Sequence, residues 1–249
     1  MIITERLEEV NGLSLSRGLH ENLSHGLCVM EAAAYIAGEP WTDSPECVCP
    51  VIAVFMRSWN DDIGSSRLRN HLLKPLLPEV VGTRVRNPTS LVLHARQNLV
   101  VKWVYGQYLP AWLSLVPRLK PYATRLTDFV VSGSGPENAS LHLLRDIQDI
   151  IIDNFPTSFK GMSIHHTDLI RTTAGVAARN AANWGDANLI LLHGSLWLTL
   201  SRVVGIVFDQ TLDEDSTAML FPTESTLLPT VQSLQESAVG LIKQMAALK

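Results

Sequence analysis

Apolar positions recur at helical spacing along most of the chain, and the pattern reads as helix after helix. Residues 4–18 suit a short opening helix. Residues 26–37 suit a second, stopped by Gly38 with Pro40 just beyond. A proline-rich loop follows, and Pro50 sits where a helix begins, since a first-turn proline loses no hydrogen bond. In that helix Val51, Val54, Phe55 and Ser58 share one face, with Ile52 and Trp59 beside it. Helix resumes over residues 68–73 after a turn at Gly64. Pro75 and Pro78 then break "KPLLPEVVGT" into short turns. Asn87 and Pro88 read as a cap and first turn for a helix reaching about Tyr108. Pro110 and Pro121 open two more.

The second half continues in the same period. "SGSGPEN", residues 132–138, is the clearest joint, and the expectation is either two subdomains, 1–131 and 137–249, or one continuous domain. Helices are expected at 137–154, 164–183, 186–208 and 226–248, with Leu234, Ala238, Leu241 and Met245 on the buried face of the last. No segment shows the strict alternation of a half-buried strand. The expectation is an all-α bundle or array of roughly eight to ten helices.

Composition agrees with a packed core and narrows the partners. Hydrophobic residues make up 46% and charged residues 18% of the 249 positions. That is enough apolar material to bury a sizeable interior. The net charge of −4 argues against a dominant nucleic-acid surface. Three cysteines are an odd number, and "MIITERLEEV" carries charge where a secretory leader needs apolar residues, so a reducing cytoplasm is expected. Residues 189–208 are long and apolar enough for a membrane span. Arg202 within them and Asp186 and Asp209 at the flanks favour a helix of a water-soluble bundle.

Candidate chemistry gathers in residues 25–61. His25 and Cys28, followed by Cys47 and Cys49, provide four soft ligands in two close pairs, a set that could hold zinc. The spacing is not that of a common zinc finger, and Cys28 lies in a run that reads as buried, where a thiol behaves as a small hydrophobe. Glu31 is the one charge between Gly26 and Gly38. A buried carboxylate needs a partner, so a structural ion pair with Arg57 or Arg84 is expected. The alternative is a general base. Elsewhere His165 and Asp168 share a helical face without a third ligand at motif spacing. "HGSLW", residues 193–197, lacks the second glycine of a hydrolase elbow, and no phosphate-binding glycine loop occurs. The tryptophans read as packing at helix junctions. In the acidic loop 209–225, Met219, Leu220 and Phe221 are candidate anchors for a partner, or equally for docking on the protein's own core.

The run "CVMEAAAYIAGEPWTDSPECVCPVIAVFMRSWND" resembles an uncharacterised family of helical proteins from actinobacteria and their phages. Its marks are Cys-Val-Met-Glu, Gly-Glu-Pro-Trp and Trp-Asn-Asp. The likeness continues in "LLKPLLPEVVGTR", "YLPAWLSL" and "LLPTVQSLQESAVGLIKQM". The middle departs from it, with only "AARNAANWGDAN" similar to the family's Ala-rich tract. The resemblance implies a helical fold and a phage or mobile-element setting, in which small proteins often act by binding another protein. The expected function is therefore a non-enzymatic regulatory factor without a cofactor, in its most concrete form one that binds and redirects a site-specific DNA recombinase. Another host protein is a further partner that fits. A zinc-dependent enzyme or zinc-stabilised module built on His25, Cys28, Cys47 and Cys49 is the alternative.

Overall fold

The computed structural model describes residues 2–63, 65–85, 91–108, 110–111, 114, 120–131 and 224–249. The fold is all-α, and no strand occurs among the described residues. Eight α-helices are described: α1 Thr4–Gly12, α2 Val29–Ala37, α3 Pro50–Asp62, α4 Ser66–Leu73, α5 Leu77–Val80, α6 Leu91–Trp103, α7 Lys120–Val131 and α8 Glu224–Ala247. A 3-10 turn, Lys74–Leu76, joins α4 to α5, and a π turn, Val104–Tyr108, extends α6. The expected helices at 137–154, 164–183 and 186–208 lie outside the described residues, as does the joint at 132–138. So do His165, Asp168, residues 189–197, and Met219, Leu220 and Phe221. Among the described residues no helix is long and apolar enough to cross a membrane.

The chain divides into two compact units, residues Met1–Val100 with Gln235–Lys249, and residues Val101–Leu234. In the first, α2 is the hub and packs against α1, α3 and α5. Val29, Met30, Ala32, Ala33, Ala34 and Ile36 are all buried, and the alanine run lets neighbouring backbones approach closely. Gly38 ends α2 in the left-handed conformation at φ 78°, with its N–H reaching back to Ala34 and Tyr35 carbonyls. α1 is docked by the Ile3 N–H on the Ile36 carbonyl, 2.8 Å, and by Arg6 on the Tyr35 carbonyl, 2.9 Å.

α3 begins at Pro50 as expected, but its buried stripe differs from the one read above. Val51 and, as expected beside it, Ile52 and Trp59 are buried, with Ala53, Met56 and Asn60, while Val54, Phe55 and Ser58 are only partly covered. Asn60 is a polar residue at a core position of this helix. Its amide accepts the Val29 N–H at 3.2 Å and donates to the Ser16 carbonyl at 2.8 Å, work that no apolar side chain could do.

Two fully enclosed arginines tie distant backbone together. Arg69 donates to the carbonyls of Leu15, Asn60 and Ile63. Arg96 donates to the carbonyls of Thr83, Met245 and Leu248, at 2.6, 2.8 and 2.6 Å. It thereby places positive charge at the C-terminal end of α8, where unsatisfied carbonyls concentrate. As expected, Leu234, Ala238, Leu241 and Met245 are buried. In the second unit, Trp103 stacks on Tyr108 with ring centroids 5.4 Å apart, and α7 packs against the π turn.

Candidate functional site

Between α1 and α2 runs a segment without regular structure, residues 13–28. Backbone outside helices must still satisfy its polar groups, and here side chains from later helices do so. Asn70 accepts the Leu15 N–H, and Lys74 donates to the carbonyls of Asn11 and Leu13. Asp61 accepts the Gly18 N–H at 2.9 Å, and Arg17 donates to the Ile63 carbonyl.

The centre of this arrangement is Glu31, fully enclosed in the first turn of α2. It accepts three hydrogen bonds: the Cys28 N–H at 2.7 Å, the His20 N–H at 2.7 Å and His20 Nδ1 at 2.8 Å. Cys28 is the N-cap residue, and its sulfur accepts the Glu31 N–H at 3.4 Å. The pair forms a reciprocal capping box with cysteine in the place usually held by serine or threonine. The cap also explains why α2 starts at Val29 rather than at residue 26.

Glu31 therefore has a different partner from the one expected. Its ionisable neighbour is His20, eleven residues upstream in the loop. Arg57 instead meets Asp43, donating to that residue's carbonyl at 2.9 Å and approaching its carboxylate at 3.4 Å. Arg84 is exposed, and its backbone N–H bonds the Cys47 carbonyl. An i+11 contact across an irregular loop has no periodicity to reveal it.

The chain of contacts continues beyond His20. On the far side of the ring, His20 Nε2 lies 2.9 Å from Ser16 Oγ, whose hydroxyl also reaches the Leu27 carbonyl at 3.5 Å. Ser16, His20 and Glu31 thus have the order of a nucleophile, base and orienting acid. A methyl at Gly26 would lie 2.3 Å from His20 Cδ2, 2.5 Å from Nε2 and 2.8 Å from Ser16 Oγ, so only glycine fits against this pair. The Leu27 N–H, 3.0 Å from Ser16 Oγ, also engages an oxygen lone pair. In this conformation the relay acts as a latch that closes the loop on α2.

The metal-ligand candidates are dispersed in role. His25 is exposed and faces Glu21 at 3.4 Å. Cys28 and Cys49 are buried at the N-caps of α2 and α3, and Cys47 is half-buried with its sulfur toward the Ala33 carbonyl. Burial pushes the thiols of Cys28 and Cys47 up to about 12, and the charge of Glu31 or Glu39 adds to the effect. Such thiols stay protonated near neutral pH. Among the described residues no three His, Cys, Asp or Glu side chains are placed to hold a metal ion.

Outward from the latch stands Leu19, 72% exposed. Sequence patterning passed over it because a lone leucine in a polar loop has no period. Comparison with protein-family models, curated proteins and solved structures gives no match for the chain.

Proposed function

We propose that this chain is a non-enzymatic interaction factor that binds another protein in the cytoplasm and alters its activity. Its most concrete form is an accessory factor that binds a site-specific DNA recombinase and redirects it, as recombination directionality factors do. The observation that carries the reading is Leu19, an apolar side chain held outward on a loop whose backbone is fixed from within. An exposed leucine adds little to folding and gains by burial in an interface. The net charge of −4 favours protein contact over direct contact with DNA.

The test is titration of the purified protein against a purified site-specific recombinase from the same host or phage. Binding at about micromolar Kd or tighter is expected, weakened about tenfold or more by Leu19→Ala, since a buried leucine contributes roughly 1.5–3 kcal/mol. Absence of binding at tens of micromolar, an affinity of about 6–7 kcal/mol, removes the recombinase reading.

A further inference from the structure

One enclosed carboxylate holds both the main chain and the ring of His20. Glu31 Oε1 accepts the His20 N–H at 2.7 Å, and Oε2 takes Nδ1 at 2.8 Å. Held in this way, the ring presents Nε2 to the Ser16 oxygen, 2.9 Å away. Two more groups meet that oxygen, both from Leu27. The N–H donates to it at 3.0 Å, and the carbonyl stands at 3.5 Å. The carbonyl contact is at the outer limit of a hydrogen bond, so Nε2 is the better placed acceptor for the hydroxyl proton.

A structural role accounts for part of this. The Leu27 N–H needs an acceptor, and the Ser16 oxygen supplies one. That role does not call for an imidazole aimed at the same oxygen, nor for a buried carboxylate fixing the imidazole from behind. These are the parts that make a serine nucleophilic. A base stands within reach of its proton, a carboxylate orients the base and stabilises the imidazolium that forms, and an N–H stabilises charge on the oxygen as the proton leaves. Solvent reaches the pair, since Ser16 and His20 are both partly exposed.

We propose that Ser16 is an activated nucleophile that accepts an acyl group from an activated ester, with His20 as its base and Glu31 as a positioning residue. Ser16 Oγ forms the bond to the acyl carbon, and its proton passes to His20 Nε2. The ester C–O bond breaks, and the departing alcohol takes the proton from Nε2. The step ends at the acyl-serine, so it goes beyond the docking role above and does not depend on it.

The probe is p-nitrophenyl acetate on the full chain at neutral pH, with acetylated positions mapped by mass spectrometry. Exposed Ser24, whose hydroxyl rests on the Asn22 amide oxygen rather than on an imidazole, is the internal control. Native Ser16 is expected to be acetylated about a hundredfold or more faster than Ser24, the effect of a positioned base. Unfolding in urea, which disperses the relay, is expected to abolish that advantage. His20→Gln is expected to slow Ser16 about a hundredfold while circular dichroism shows the helices retained. Native Ser16 acetylated no faster than Ser24 overturns the proposal, as does an advantage that survives in urea. A folded His20→Gln protein with the wild-type rate at Ser16 overturns the role of the base. The native and unfolded wild-type rates need no variant, so they decide the outcome if His20→Gln fails to fold.

Discussion

Gly26→Ala is the sharpest perturbation of the latch. The new methyl would sit 2.3 Å from His20 Cδ2 and 2.5 Å from Nε2, well inside van der Waals contact. The ring cannot swing away without releasing Glu31, its partner at 2.8 Å. Gly26 also holds φ 133°, a region that residues with a Cβ rarely adopt. Overpacking of this kind costs about 1–3 kcal/mol. The strained backbone adds about 1–3 kcal/mol. Against a typical total stability of about 5–15 kcal/mol, the change is large. Equilibrium urea unfolding measures it through the shift in midpoint at constant slope. The double variant with His20→Ala separates the two causes. Removing the ring relieves its part of the clash but leaves the Ser16 contact at 2.8 Å and the strain, so the two substitutions together should cost about 1 kcal/mol or more less than their sum. A Gly26→Ala protein within about 0.5 kcal/mol of wild type, inside the range of ordinary surface substitutions, would refute the packing described for Ser16, His20 and Gly26.

Other consequences follow from the same contacts. Arg96→Met should destabilise the protein by about 3–5 kcal/mol, because three carbonyls lose a charged donor, and fluorescence-monitored unfolding checks it. Cys28 and Cys47 have thiols raised from 9.0 to about 12 in the folded state, so the native state holds its protons more tightly than the unfolded chain. Their contribution is fully present below pH 9.0 and is lost as pH rises toward about 12. Thermal melts should therefore shift downward above that lower limit, and a thiol reagent at pH 8 should modify the unfolded chain far faster than the folded one. Elemental analysis of protein purified without chelator should find zinc well below one equivalent. Stoichiometric zinc would restore the reading built on His25, Cys28, Cys47 and Cys49.

Sequence pattern revealed what depends on local rules. Pro50 and Gly38 bound their helices because proline lacks an N–H and glycine tolerates the left-handed region, and both facts travel with the residue. The buried face of α8 at Leu234, Ala238, Leu241 and Met245 followed from helical period alone. The latch was only half legible. Glu31 was recognisable as a buried carboxylate in need of a partner, but its capping bond to Cys28 was hidden by the use of sulfur as the cap. His20 and Ser16 belong to an irregular loop, where no spacing rule says which side chain turns inward. Asn60 was missed for a related reason: the amide lies on the buried face because the loop's backbone needs it there.

The proposed function makes the exposed Leu19 a contact for a partner protein. Site-specific photo-crosslinking in the native host tests this most directly, with the photoreactive residue placed at position 19 and, as a control, at the exposed Glu79. A discrete adduct from position 19 that mass spectrometry identifies as the recombinase, with none from position 79, is the predicted result. No adduct from position 19, or the same adducts from both positions, would contradict it.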